Sequence, residues 1–315
     1  MKEIDKLSVN AIRATCIDVV NKAKSGHPGM ALGSAPILYT LFTKHLVANP
    51  KEPMWFNRDR FVLSAGHASS LLYTMLHISG YEVSLDDLKS FRQLGSLTPG
   101  HPEFKHTKGV DATSGPLGQG IAQAVGMAMA ERAVAHQYPQ GKQLCDHYTY
   151  VLCGDGCLQE GISQEAISLA GHQKLNKLIL LYDANKVTLD GPIELSFSED
   201  VKERFIGSEW DVLEVKDGND IDAIDRAIAK AKESKEKPTL IIVHTVIGYG
   251  SAKQGTNKVH GSPLGVEDGK HAKVDVYGFD HEDFFIPEEV KEQFEKTFIA
   301  RGTKAHEEYK KAFAA

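Results

Sequence analysis

No stretch of the sequence reaches the roughly eighteen consecutive apolar residues that a bilayer-spanning helix needs, so no membrane partner is expected. The opening residues Met1-Lys2-Glu3-Ile4-Asp5-Lys6 lack the apolar core of a secretory leader. Cysteine is scarce: Cys16, Cys145, Cys153 and Cys157 are the four in 315 residues. That excludes a disulfide framework and makes reduced thiols and a cytoplasmic location the expectation. Cys153 and Cys157 stand four apart, but no second pair completes a zinc site, so they read as small buried side chains. A basic excess is also missing, with 36 lysines and arginines against 42 acids and a net charge of −6. No nucleic-acid partner is expected, because such proteins carry a basic footprint.

What remains is a globular composition, 42% hydrophobic and 25% charged, in a chain long enough for a large core. Apolar residues at helical spacing predict a helix over 8–23, capped by Ser8 and ended by Ser25-Gly26-His27-Pro28-Gly29. Further helices are expected at 35–45, over a stretch running to Ile78, at 119–136, 159–173 and 221–235. Short apolar runs at 60–64, 148–153, 178–182, 212–215 and 240–244 predict strands. Strands alternating with helices imply an α/β fold, a parallel sheet flanked by helices on both faces. The composition shifts near Gly261. Residues 261–282 read as loop and 287–315 as one or two charged helical stretches, which divides the chain into 1–260 and 261–315. The chain stops among helix formers, without the glycine or asparagine that closes many helices, so continuation into further sequence is expected.

The segment with most chemical content is Cys153-Gly154-Asp155-Gly156, at the carboxyl end of a predicted strand and ahead of a helix. In open α/β sheets ligands bind at that edge, and glycines let backbone approach an anion. A carboxylate beside a phosphate repels it unless a hard cation lies between them, which points to Mg²⁺ or Ca²⁺ on oxygen ligands. Asn185 closes the next strand thirty positions on, so parallel neighbours would set Asp155 and Asn185 side by side. Taken alone, Gly-Asp-Gly is a turn. The ordered set of strand, turn, helix, strand and asparagine is more specific. The dinucleotide fingerprint fails here, because Gln159 holds the sixth place and an acid sits inside. The Walker pattern fails at both Gly141-Lys142 and Gly269-Lys270.

Four of the fourteen histidines, His27, His67, His101 and His260, lie in loop-like breaks beside glycine. A single loop histidine is ordinarily solvated or capping. Four in similar settings suggest one shared site, where imidazoles would donate to phosphate or sugar hydroxyls and move protons near neutral pH. A zinc cluster is the competing idea, weakened by the lack of a helical His-x-x-x-His pair among them. Gly115-Pro116-Leu117-Gly118-Gln119-Gly120 serves equally as a helix start or as backbone approached closely by a flat ligand.

Together these segments resemble the transketolases, thiamine diphosphate enzymes. The likeness runs in order through Ser25-Gly26-His27-Pro28-Gly29-Met30, Ser64-Ala65-Gly66-His67, Thr98-Pro99-Gly100-His101-Pro102-Glu103, Gly115 to Gly120, Gly154-Asp155-Gly156 through Asn185, and His260-Gly261-Ser262-Pro263-Leu264-Gly265. It covers nearly the whole chain. The resemblance implies the thiamine diphosphate-binding fold and transfer of a two-carbon ketol unit from a ketose phosphate to an aldose phosphate, a pentose phosphate pathway reaction. It implies that Asp155, Asn185 and the carbonyl of Val187 hold Mg²⁺ or Ca²⁺. His67, Gly156 and His260 would contact the diphosphate, and Gly115, Leu117 and Leu189 would line the thiamine. His27 and His101, with His260, would face the sugars. Glu160 resembles the family's interface glutamate, although an acid at a helix N-terminus is also favoured by the helix dipole.

In that family a second domain, from the partner subunit of a homodimer, holds the aminopyrimidine and supplies an activating glutamate. The active site then lies at the subunit interface. Only the first domain and the start of a linker have counterparts here. The chain is therefore expected to be inactive alone, as a fragment or as the N-terminal subunit of a split enzyme. Dihydroxyacetone synthase, deoxyxylulose-phosphate synthase and a non-catalytic docking half remain alternatives.

Overall fold

Apolar strands joined by helices dictate the layering. The computed structural model describes residues 2–138 and 141–314. Strands β1 (Arg60–Leu63), β2 (Thr149–Gly154), β3 (Leu178–Ala184), β4 (Asp211–Val215) and β5 (Thr239–His244) form one sheet in the order β1-β2-β3-β5-β4. Every pairing is parallel. β2 and β3 are buried at every residue, and β5 at all but its last. Successive side chains point to opposite faces, so burial along a whole strand requires both faces to be covered. The expected α/β architecture is present.

The helices are α1 (Glu3–Ala23), α2 (Pro28–Thr40), α3 (Ser69–Ile78), α4 (Leu85–Lys89), α5 (Gln119–Gln137), α6 (Gly141–Leu144), α7 (Gly161–His172), α8 (Val201–Gly207), α9 (Ile221–Ala231), α10 (Val266–Lys270), α11 (Glu288–Phe294) and α12 (Ala300–Ala314). Three expectations need correction. Ser8 does not cap α1, which begins earlier, where the Asp5 carboxylate accepts from the Lys2 amide at 3.0 Å and from the Tyr39 hydroxyl at 2.7 Å. α2 starts at Pro28 rather than near residue 35, because proline fits the first helical turn, where its missing N–H is no loss. Its glycines permit close packing: a Cβ on Gly29 would stand 2.6 Å from the Val259 carbonyl oxygen.

Residues 261–282, read as loop, contain α10 and a wide helical turn at His271–Val276. Their charge density concealed a buried ion pair. Lys273 Nζ lies 2.7 Å from Asp18 on α1 and 2.8 Å from Asp283, and Lys273 and Asp18 are almost fully enclosed. Leu264, Ala272, Phe284, Phe294 and Phe298 join the same core as the sheet. The charged helical stretch expected at the end is α11 and α12; Ala315 lies outside the described residues.

Parallel strands place all their carboxyl ends on one edge. Leu63, Gly154, Ala184 and His244 end there, and the loops that follow them carry most of the residues singled out above.

Removing one partner of a buried ion pair leaves the other charge uncompensated. Lys273→Met is expected to lower unfolding free energy by about 3–5 kcal/mol. The double change Lys273→Met with Asp18→Leu should recover most of the loss, as read by urea unfolding.

Candidate functional site

The four histidines reach the sheet edge from four separate segments. His27 is the residue before α2, His67 sits in the turn after β1, His101 in the long connection before α5, and His260 in the loop after β5. The His27 and His67 rings are 5.2 Å apart between centroids, His27 and His260 6.0 Å, and His67 and His260 stack at 5.3 Å. His101 belongs to the same group, near enough to His27 and His67 to act on the charge of both. The expected convergence is therefore present. Among the described residues no group of three or more His, Cys, Asp or Glu is arranged to hold a metal, so a histidine zinc cluster is not formed.

Burial and mutual proximity keep these rings neutral. Burial, then the neighbouring His260 and His27, push His67 down to about 3. Burial, then the Arg92 guanidinium, push His27 down to about 4. His101 and His260 are lowered as well, mainly by burial. His260 Nδ1 is buried without a hydrogen-bond partner. An orphaned ring nitrogen is costly in the protein interior unless something arrives to use it.

Asp155 follows β2, and β3 is its sheet neighbour, with Gly154 in register with Asp183. The Asp155 carboxylate is buried. It accepts from the Tyr182 hydroxyl and, at 3.0 Å, from the Lys186 amide. Both donors are neutral, and burial pushes the acid up to about 6. Asn185 stands beside it, as the parallel pairing predicts. Its Nδ2 donates to Asp183 at 2.6 Å and its Oδ1 accepts from the Val187 amide at 3.0 Å. Asp183 also accepts from Thr245, and burial pushes it up to about 7. Two desolvated carboxylates thus sit at the ends of adjacent strands, surrounded by hydroxyl and amide donors.

Glycines shape the remaining wall. A Cβ on Gly156 would strike Leu117 at 2.8 Å, and one on Gly261 would meet both Leu189 and His27 at 3.2 Å. Gly118, at φ +82°, precedes α5 and packs against Ser163 and Glu160. Glu160 is exposed at the start of α7. The four cysteines are free and buried, which agrees with the burial expected of Cys153 and Cys157.

Sequence reasoning missed Arg92, Tyr182, Asp183 and Thr245. Arg92 donates to His27 Nδ1 at 3.3 Å and to Ser25 Oγ at 2.8 Å, across a gap of more than sixty residues that no local motif marks. Asp183 was within reach, as an acid two residues ahead of Asn185 in a run that otherwise reads as strand.

Residues 4–315 match the family model described as "Transketolase, thiamine diphosphate binding domain". The transketolase of Bacillus subtilis (strain 168) is 56% identical over 317 residues, covering 100% of this chain and 47% of that protein. Transketolase 1 of Saccharomyces cerevisiae is 53% identical, covering 99% of this chain and 46% of its own length. Among solved structures, transketolase from Leishmania mexicana superposes with a TM-score of 0.96 at 46% identity, over 100% of this chain and 47% of that one. A Pichia stipitis transketolase in complex with sedoheptulose 7-phosphate gives the same score and identity, over 99% and 46%. The chain spans about half the length of the curated relatives it matches.

The folded value of His67 lies below that of an unfolded histidine, about 6.5. On acidification the unfolded chain therefore binds the proton first. Stability is full above about pH 6.5 and falls as pH drops from there toward about 3. His67→Phe should make that acid loss shallower, by up to about 1.4 kcal/mol per pH unit. Urea unfolding of both proteins at pH 7 and pH 5 provides the measurement.

Proposed function

The chain belongs to the transketolase family as its thiamine diphosphate-binding domain, and from that premise we propose that it forms the diphosphate-gripping half of a ketol-transfer site. The reaction is passage of a two-carbon ketol unit from a ketose phosphate to an aldose phosphate. One observation carries the reading: the buried Asp155 carboxylate, at the carboxyl end of β2, is met by neutral donors alone in its hydrogen bonds with Tyr182 and Lys186. A divalent cation held there would supply the missing countercharge and let the acid sit beside a diphosphate.

The residues present fit the cofactor. In this reading Asp155, Asn185 and the Val187 carbonyl hold Mg²⁺ or Ca²⁺, an oxygen donor set suited to a hard ion. His67, Gly156 and His260 face the diphosphate, and the orphaned Nδ1 of His260 is the kind of group such a ligand satisfies. Gly156 packs directly against Leu117, where a Cβ would collide, which sets these two residues of the expected cofactor wall side by side. Gly115, Leu117 and Leu189 line the thiamine. Bound there, thiamine diphosphate supplies stabilisation of a carbanion next to its thiazolium ring.

The chain's own residues do the rest. The histidines, lowered in pKa and so neutral at pH 7, donate hydrogen bonds without adding charge. His27 and His101 orient sugar hydroxyls, and His260 joins them from the loop after β5. The enclosing loops exclude water. Glu160, exposed at the start of α7, is positioned to meet the partner of a homodimer whose active site lies at the interface. Residues 1–260 are assigned to the diphosphate-binding unit and 261–315 to the segment leading onward. The groups that hold and activate the aminopyrimidine belong to the remaining half of the enzyme. Cytoplasmic residence is part of the same reading, supported by the free cysteines. Among the described residues no helix is long and apolar enough to cross a membrane.

A coupled assay of ketol transfer tests the division of labour. Transfer is expected when this chain is joined to the remaining half, and substantial transfer by the chain alone would overturn it. Asp155→Asn in the complete enzyme keeps the shape but removes the charge; its amide oxygen still accepts from the Lys186 amide, and its Nδ2 would donate to the Tyr182 oxygen. Calorimetry should show Mg²⁺-dependent affinity for thiamine diphosphate falling by about a hundredfold or more, with urea stability unreduced. Unchanged affinity would exclude Asp155 as the ion's anchor.

A further inference from the structure

His27 and Arg92 form a pair that the family resemblance did not single out. The Arg92 side chain is held on several sides. Its backbone amide donates to the Thr98 carbonyl at 3.0 Å, in a left-handed conformation with φ +62°. Its guanidinium packs over Gly100, where a Cβ would stand 3.2 Å from Nε, and Nη1 donates to Ser25 Oγ at 2.8 Å. From that fixed position Nη2 points at His27 Nδ1, 3.3 Å away.

A guanidinium carries donors only and stays protonated in proteins. The ring nitrogen facing it must therefore present a lone pair. In a neutral imidazole the proton then resides on the other nitrogen. We propose that Arg92 is a positioning residue that locks His27 in the Nε2–H tautomer, making its site-facing edge a hydrogen-bond donor. The far edge of the ring supports this. Nε2 lies beside Gly261, where a Cβ would come to 3.3 Å, so only glycine leaves that N–H clear to meet a ligand oxygen.

This gives His27 a narrower role than proton transfer. Its one lone pair is engaged by Arg92, and its one N–H points outward. At neutral pH it donates to a hydroxyl or carbonyl oxygen and does not accept a proton. The groups facing it reinforce that state: Arg92, His260 and His101 all disfavour a second charge, and the His67 ring packs against it. That the oxygen belongs to a sugar rests on the function proposed above; the tautomer does not.

The test is a two-bond ¹⁵N–¹H correlation spectrum of the 315-residue chain with ¹⁵N-labelled histidine at pH 7, without cofactor or substrate. His27→Gln identifies the His27 signals by their loss. The expected result is a protonated Nε2 and a pyridine-like Nδ1. Arg92→Met should give a tautomer mixture and raise the His27 titration midpoint by about one pH unit from its low starting value. Ser25→Ala should leave the tautomer as it is. A protonated Nδ1 in the unaltered chain overturns the proposal even if Arg92→Met fails to fold, as does an unchanged spectrum in Arg92→Met. Either result leaves the ketol-transfer reading standing, and loss of that reading leaves the tautomer untouched.

Discussion

A carboxylate taken out of water needs positive charge or many donors, and Asp155 has only a tyrosine hydroxyl and backbone amides. Desolvating such an ion costs several kcal/mol even after relaxation. Asp183, two residues before Asn185 and fully buried, adds a second acid at the end of the neighbouring strand. Nothing in the packing of the sheet requires these acids, since β2 and β3 otherwise carry no charged residue. In the proposed reading, two desolvated acids at the carboxyl edge of a parallel sheet await a cation. Once the ion is bound, the charge that destabilises the strand end becomes the anchor for a diphosphate.

The rest of the site is built to leave that electrostatic centre undisturbed. Stacked imidazoles suppress one another's protonation, so this wall offers N–H donors rather than fixed charge. Arg92 places a positive charge behind His27, where it fixes a ring rather than competing for the phosphate. Tyr182 and Asp183 act in the same indirect way. The tyrosine donates to Asp155, and Asp183 takes the Asn185 amide hydrogens, which leaves the amide oxygen turned toward the Val187 amide and the loop. Glycines at 115, 156 and 261 keep backbone and rings closer than side chains would permit.

Much of this was legible in the residue order because it is encoded locally. Short apolar runs ending in glycine mark strand ends, and a parallel sheet then gathers those ends on one edge without further information. Asp155 and Asn185 were found in this way, and the four histidines by the glycine-flanked breaks they share. The start of α2 was misread because proline and glycine stop one helix and can open the next, and only packing against Val259 distinguishes the cases. Residues 261–282 were misread because Lys273 counts as surface charge until Asp18, on α1 at the other end of the chain, is brought against it. Arg92 is hidden for the same reason. Its meaning lies in Ser25 and His27, which are adjacent in space and remote in sequence.

The direct test of the central claim is to see the ion. Crystals of the complete enzyme grown with thiamine diphosphate and Mn²⁺, a spectroscopic stand-in for Mg²⁺, would give an anomalous difference map. A peak in contact with the Asp155 carboxylate, the Asn185 amide oxygen and the Val187 carbonyl, adjoining the diphosphate, is the predicted result. A bound diphosphate with the anomalous peak elsewhere, or with none, would contradict the account.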